Sequence, residues 1–106
     1  MNDCVFCKIV RGDIKTNFEE ETDNLVVFKD KYPKAPIHFL IVTKKHIQDI
    51  KSDKDELWRS MGKLSVFIAD KLNIKGFRLV HNAGDAASVK HMHVHFLGQV
   101  SEDREI

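Results

Sequence analysis

Residues 91–95 read His91-Met92-His93-Val94-His95, and Phe96-Leu97-Gly98 follow them. Imidazole and apolar side chains alternate strictly here, and a period of two is the period of a β-strand. A strand puts the three imidazoles on one face and Met92, Val94 and Phe96 on the other. The apolar face must be packed against a core, while half of the protein's six histidines line up on a rigid edge. Histidine titrates closest to neutrality, so such a row can supply nucleophile, base and acid together. This strand is where chemistry is expected.

The rest of the chain supplies elements that such a strand can join. Residues 4–10 form a short mixed-apolar stretch, which predicts one or two helical turns ending near Gly12. Residues 18–21 and 25–29 read as strands around the turn Thr22-Asp23-Asn24. Residues 30–36 hold both prolines and form a loop. The nearly continuous apolar run 38–43 suits a central strand. Leu57, Met61, Leu64, Ile68 and Leu72 recur at three- and four-residue steps beside Trp58, the apolar stripe of one long helix. Ser52 or Asp53 can cap it, with Asp55 and Glu56 in its first turn, and it should stop between Asn73 and Gly76. Residues 77–82 and 89–98 are strands on either side of a small-residue loop, 83–87. The order predicts an α+β class: an antiparallel sheet with one long helix and a short N-terminal helix.

Length and composition narrow the possible partners. A chain of 106 residues makes one domain, 1–106, and not two. The net charge is +1 and no long basic run occurs, which argues against a nucleic-acid partner. Lys44-Lys45-His46 is too short to change that and reads as a solvated strand end. No run of about 18 apolar residues exists, so no membrane span is expected. The opening Met1-Asn2-Asp3-Cys4 lacks the basic and apolar regions of an export signal. With only Cys4 and Cys7 present, a reducing cytoplasmic location is expected, where a disulfide is the less favoured use of the pair.

Strand geometry restricts what the three histidines can do. Neighbouring imidazoles on one face start roughly 6.6 Å apart, and His91 and His95 roughly 13 Å apart. Two can converge on one atom, but three are poorly placed to bind one ion with bonds of about 2.0–2.1 Å. A division of labour fits better, with the central His93 facing substrate and a neighbour on each flank. Neutral imidazole attacks electrophilic phosphorus, and the phospho-imidazole formed is labile to water. A second histidine can orient the first or pass a proton to the leaving group. No glycine-rich phosphate loop precedes the strand, and no carboxylate pair has Mg²⁺-binding spacing.

The ordered motifs resemble those of the histidine triad (HIT) superfamily, on the side of the Hint-like nucleoside phosphoramidases. The likeness runs from Cys4-Val5-Phe6-Cys7-Lys8-Ile9 through Phe28-Lys29-Asp30, Pro33 and Ala35-Pro36. It continues through His38-Phe39-Leu40-Ile41-Val42 and Lys44-Lys45-His46-Ile47 to Phe77-Arg78-Leu79-Val80, Asn82, Gly84 and the triad itself. The resemblance implies a homodimeric α+β fold that binds a purine nucleoside monophosphate and cleaves a bond from its α-phosphate. It makes His93 the nucleophile, with His91 in the triad beside it and His95 holding the phosphate and tuning His93. It places Ser88 near the leaving group, Asn82 at the phosphate and Asp30 on the ribose hydroxyls. Ala86 and Ala87 stand where the family commonly has Gly-Gln. Alanine offers no side-chain hydrogen bond to a bridging or leaving atom, which favours phosphoramidates over dinucleoside polyphosphates. The acidic tail after Gly98 also departs from the family's glycine-rich continuation.

Cys4-x-x-Cys7 has a spacing suited to a tetrahedral metal that needs two further ligands. Some HIT relatives with this motif close a zinc site with the histidines matching His46 and His91. The resemblance therefore implies a structural Zn²⁺ on Cys4, Cys7, His46 and His91, leaving His93 and His95 for chemistry. Two other functions compete with the covalent enzyme. One is a non-catalytic, zinc-stabilised purine-nucleotide-binding module; the other is a metallohydrolase with its ion on His91 and His93, which lacks a third ligand.

Overall fold

The computed structural model describes residues 4–105, so the opening residues Met1, Asn2 and Asp3 and the final Ile106 lie outside it. Helix α1 (Val5–Arg11) ends at Gly12, whose φ of 87° is a left-handed cap that glycine adopts without strain. Strands β1 (Glu20–Glu21), β2 (Leu25–Lys29) and β3 (Ile37–Thr43) follow, then helix α2 (Leu57–Lys71), β4 (Phe77–Val80) and β5 (His93–Gly98). The five strands form one sheet in the order β1-β2-β3-β5-β4, and every neighbouring pair is antiparallel. The expected α+β architecture is therefore observed. No helix among the described residues is long and apolar enough to cross a membrane.

Register assigns each strand residue to a face. Val42 lies opposite His93 and Leu40 opposite His95, while Val26 and Phe28 lie opposite Val42 and Leu40. Directly opposed residues share a face. The other face carries Leu25, Val27, Phe39, Ile41, Val94 and Phe96, packed on Met61, Leu64, Ile68 and Ala69 of α2. Met92, Val94 and Phe96 have no exposed surface, as the alternating pattern requires. Burying such side chains is worth about 1.5–3 kcal/mol each, which pins the histidine face outward from the α2 layer. On that second face, Phe6 of α1 packs with Val26, Phe28, Leu40 and Val42. Its ring meets His93 edge-on at 4.9 Å and His91 at 5.8 Å.

Several boundaries differ from the sequence expectation for local reasons. β5 starts at His93, not at residue 89, because the Met92 N–H turns to the segment after β3. That N–H donates to the Ile47 carbonyl at 2.7 Å, and the Met92 carbonyl accepts from Thr43 N–H at 3.3 Å. Helix α2 starts at Leu57, since Glu56 sits at φ 55° and breaks the helical path. Asp55 and Glu56 thus fall outside its first turn. The Asp53 carboxylate still accepts the N–H groups of Leu57 and Trp58, both at 2.8 Å. Leu72 is 44% exposed because α2 ends at Lys71 and Asn73, at φ 54°, turns the chain. Ile74 fills the core instead. β1 is only two residues long, and Phe18 packs on Phe28 from ahead of it, at 6.4 Å between ring centroids.

Candidate functional site

Four elements bring together the Cys/His set. Cys4 precedes α1, Cys7 lies one turn later, His46 follows β3, and His91 sits just ahead of β5. His91 Nδ1 is 3.3 Å from Cys4 Sγ, 3.5 Å from Cys7 Sγ and 3.1 Å from His46 Nδ1. Cys7 Sγ lies 3.1 Å from His46 Nδ1. Tetrahedral Zn–N and Zn–S bonds set ligand atoms roughly 3.3–3.8 Å apart, so the spacing suits one ion. His91 Nε2–H donates to the Thr43 carbonyl at 2.7 Å, which leaves Nδ1 with its lone pair toward the sulfurs. Metal-bound histidines use this arrangement, one nitrogen on the ion and the other donating. These four residues could hold a metal ion.

Farther along the histidine face, backbone groups fix the protonation pattern. His93 Nδ1 lies 2.7 Å from the His91 carbonyl, which can only accept, so Nδ1 carries the hydrogen and Nε2 the lone pair. His81 receives the Ile50 N–H on Nε2 at 3.1 Å and donates from Nδ1 to the His93 carbonyl at 2.8 Å. Thus His81 ties the end of β4 to the start of β5.

His38 is a site residue that sequence reasoning missed. Its Nδ1 accepts the Lys34 N–H at 2.9 Å, while Nε2 lies 2.9 Å from His95 Nδ1 and 3.3 Å from Asp30 Oδ2. The signal was present: one polar side chain in an apolar strand, in step with Leu40 and Val42 on the imidazole face. Asp30, His38 and His95 also cluster closely enough to suggest a second ion site. His38 speaks against it, because the accepting Nδ1 leaves Nε2 protonated and unable to ligate.

A cavity of about 730 Å³ opens beyond the reach of α1, lined by Asp30, His38, Asn82 and His95 among others. This size accommodates a nucleotide-sized ligand. The tail closes one side through Arg104 and Glu105. Val100 N–H bonds to the Gly76 carbonyl, and Arg78 donates to the carbonyls of Ser101 and Arg104. Arg104 in turn donates to the Lys34 carbonyl. Of the residues singled out from sequence, Asp30, Asn82 and His95 line this cavity. His93 lies behind His95, with ring centroids 5.3 Å apart, and is 5% exposed beneath Phe6. Ser88 is exposed and outside the lining, and His91 belongs with the cysteines.

Burial lowers the pKa of His38, His91, His93 and His95 below the ordinary imidazole value, desolvation of the cation being the main cause in each. The proximity of His38 further lowers His95, against the pull of Asp30. For His38 and His95 the linkage sign is clear. The unfolded chain takes up these protons near pH 6.5, and the folded chain resists them until lower pH. Stability should therefore be complete above about pH 6.5 and decline as pH falls toward the depressed folded values. Thermal melts at successive pH values test this; His95→Gln should show a smaller acid-side loss than the native protein.

Comparison with known proteins agrees with this geometry. The family profile described as "Scavenger mRNA decapping enzyme C-term binding" matches residues 3–105. An uncharacterized HIT-like protein of Chlamydia muridarum is 40% identical over 100 residues, covering 89% of this chain and 79% of that protein. A HIT family hydrolase from Clostridium thermocellum superposes with TM-score 0.88 at 34% identity, covering 100% of this chain and 98% of that one. A zinc-bound histidine triad family protein from Mycobacterium smegmatis gives TM-score 0.84 at 28% identity, covering 96% and 78%. The triad-bearing antiparallel sheet and these matches define the class: the chain belongs to the histidine triad, or HIT-like, family.

Proposed function

We propose that the protein is a nucleotide hydrolase or transferase that cleaves purine nucleoside phosphoramidates, AMP-linked, through a transient nucleotidyl-histidine on His93. The observation that carries this reading is the tautomer of His93, fixed by a backbone carbonyl. His93 keeps Nδ1–H on the His91 carbonyl and an Nε2 lone pair for phosphorus, beside a His95 on the cavity wall. Asp30 takes the ribose hydroxyls, since a carboxylate accepts both protons of a diol. Asn82 and His95 hold the phosphate, and Ser88 lies on the leaving-group side. His93 Nε2 bonds to the α-phosphorus as the P–N bond breaks, and the departing amine takes one proton from the medium. Water then splits the histidine–phosphorus bond, its hydroxyl going to AMP and its proton restoring the medium. A zinc ion on Cys4, Cys7, His46 and His91 would pin α1 to the sheet and take no part in these steps. With four protein ligands it would have no open position for water.

The cytoplasm is the proposed location, and a homodimer the proposed assembly. The exposed apolar residues Trp58, Val66, Phe67 and Leu72 on and just after α2 support a partner surface. Light scattering after gel filtration should give twice the 12.2 kDa chain mass, and Phe67→Asp should shift it to the monomer.

A second reading, a purine-nucleotide-binding module without turnover, draws on the cover that Phe6 lays over His93. One experiment separates the two: incubation with an adenosine phosphoramidate, followed by chromatography. AMP release supports the enzyme, and tight binding without product supports the module. Dinucleoside polyphosphates in the same panel should react more slowly, because Ala86 and Ala87 bring no side-chain donor.

A further inference from the structure

His38 has no assigned task in the chemistry above, yet it is nearly buried and bonded on both ring nitrogens. Its side chain is 3% exposed and that of Asp30 is 16% exposed. The Lys34 N–H is a backbone donor that cannot titrate. Because it points at Nδ1 of His38, the ring is neutral and its hydrogen sits on Nε2. That hydrogen has two acceptors within reach, His95 Nδ1 at 2.9 Å and Asp30 Oδ2 at 3.3 Å. When His95 Nδ1 accepts it, the hydrogen of neutral His95 must reside on Nε2. His93 and His95, two residues apart on one strand, then hold opposite tautomers: a lone pair at Nε2 of His93, an N–H at Nε2 of His95.

We infer that His38 is a positioning residue that fixes His95 as a hydrogen-bond donor and couples that state to the occupancy of Asp30. This rests on the nucleotide reading for the identity of the ligand. Asp30 and His95 compete for one hydrogen. A ligand hydroxyl that donates to Asp30 Oδ2 occupies the competing acceptor, and the His38 Nε2–H passes wholly to His95. Sugar hydroxyls at one end of the cavity thus complete the donor at the other. The specificity that results is kinetic: a ribonucleoside substrate gains turnover from its hydroxyls, beyond whatever affinity they add.

The test combines tautomer spectroscopy and kinetics on the full chain. In ¹⁵N-labelled protein, the His95 ring nitrogens should report hydrogen mainly on Nε2, and on Nε2 alone once AMP is bound. His38→Asn keeps an acceptor for the Lys34 N–H but is too short to reach His95, so His95 should become a tautomer mixture. His38→Gln sets an amide N–H where Nε2 stood and should restore the native pattern. With adenosine phosphoramidate, His38→Asn should lose on the order of 10²-fold in kcat with a smaller change in KM, as for loss of one preorganised donor. His38→Gln should recover most of it. The 2′,3′-dideoxy substrate should show a kcat about tenfold lower in the native protein, a usual size for coupling between sites. That kcat difference should vanish in His38→Asn and in Asp30→Ala, which leaves His38 itself intact. An unchanged His95 tautomer in a folded His38→Asn overturns the inference. So does a kcat difference between the two substrates that persists in Asp30→Ala. If the native protein releases no AMP from any phosphoramidate, the nucleotide reading fails, while the nitrogen spectra still decide the role of His38.

Discussion

Replacing His93 with alanine should cut turnover of a nucleoside phosphoramidate by about 10²–10⁴-fold or more, while AMP binding stays near the native value. The cavity wall includes Asp30, His38, Asn82 and His95 but not His93, so the substitution removes none of its lining. What is removed is the His93 Nε2, whose lone pair is freed by the His91 carbonyl on the same ring and, unlike that of His91, is not directed at the cysteine sulfurs. The substitution also leaves the His91 carbonyl without that donor, an effect of about 1–3 kcal/mol on stability. Thermal melts beside the rate assay therefore separate lost chemistry from lost fold. A native rate in folded His93→Ala would end the covalent scheme.

The second large effect concerns the Cys/His cluster. Protein purified without chelator should carry close to one zinc per chain, measured by elemental analysis or native mass. Binding at a thousandfold excess over Kd adds about 4 kcal/mol of stability. For a domain of this size about 1 kcal/mol moves Tm by roughly 4–8 °C, so stripping the metal should lower Tm by roughly 15–30 °C. Cys7→Ser should reproduce most of that loss. Turnover per folded molecule at low temperature should change little, because the cluster holds α1 and His91 and not the reacting atoms. The path from metal to chemistry is indirect, running through Phe6 and the His91 carbonyl to His93. Metal-free protein with an unchanged Tm would contradict the structural role.

Much of this site was legible from residue order. The alternation at residues 91–96 specified both faces of β5, because a one-residue slip would bury every imidazole in the α2 layer. The two-residue gap between the cysteines suited two metal ligands, and the HIT resemblance named His46 and His91 as two more candidates, which the fold brings close enough to hold an ion. The tautomer chain was not legible, since it depends on the pairing of β3 with β5 and on a backbone amide in the 30–36 loop. His38 and His95 are 57 positions apart and meet only through that register. The tail was equally opaque: its acidic composition gave no sign that Arg78 and Gly76 would hold it across the cavity. Helix boundaries failed where backbone geometry outweighs propensity, as at Glu56 and Asn73, both with positive φ. Leu72 kept the apolar spacing of α2 yet lies past its last turn, so periodicity alone overran the element.

The most direct measurement is to quench the reaction with an adenosine phosphoramidate within its first turnovers and map the adduct by peptide mass spectrometry. An AMP moiety on the imidazole of His93, absent from His93→Ala and cleared by water on standing, is the predicted result. Steady release of AMP with no modified histidine, or with the label on His95, would contradict it.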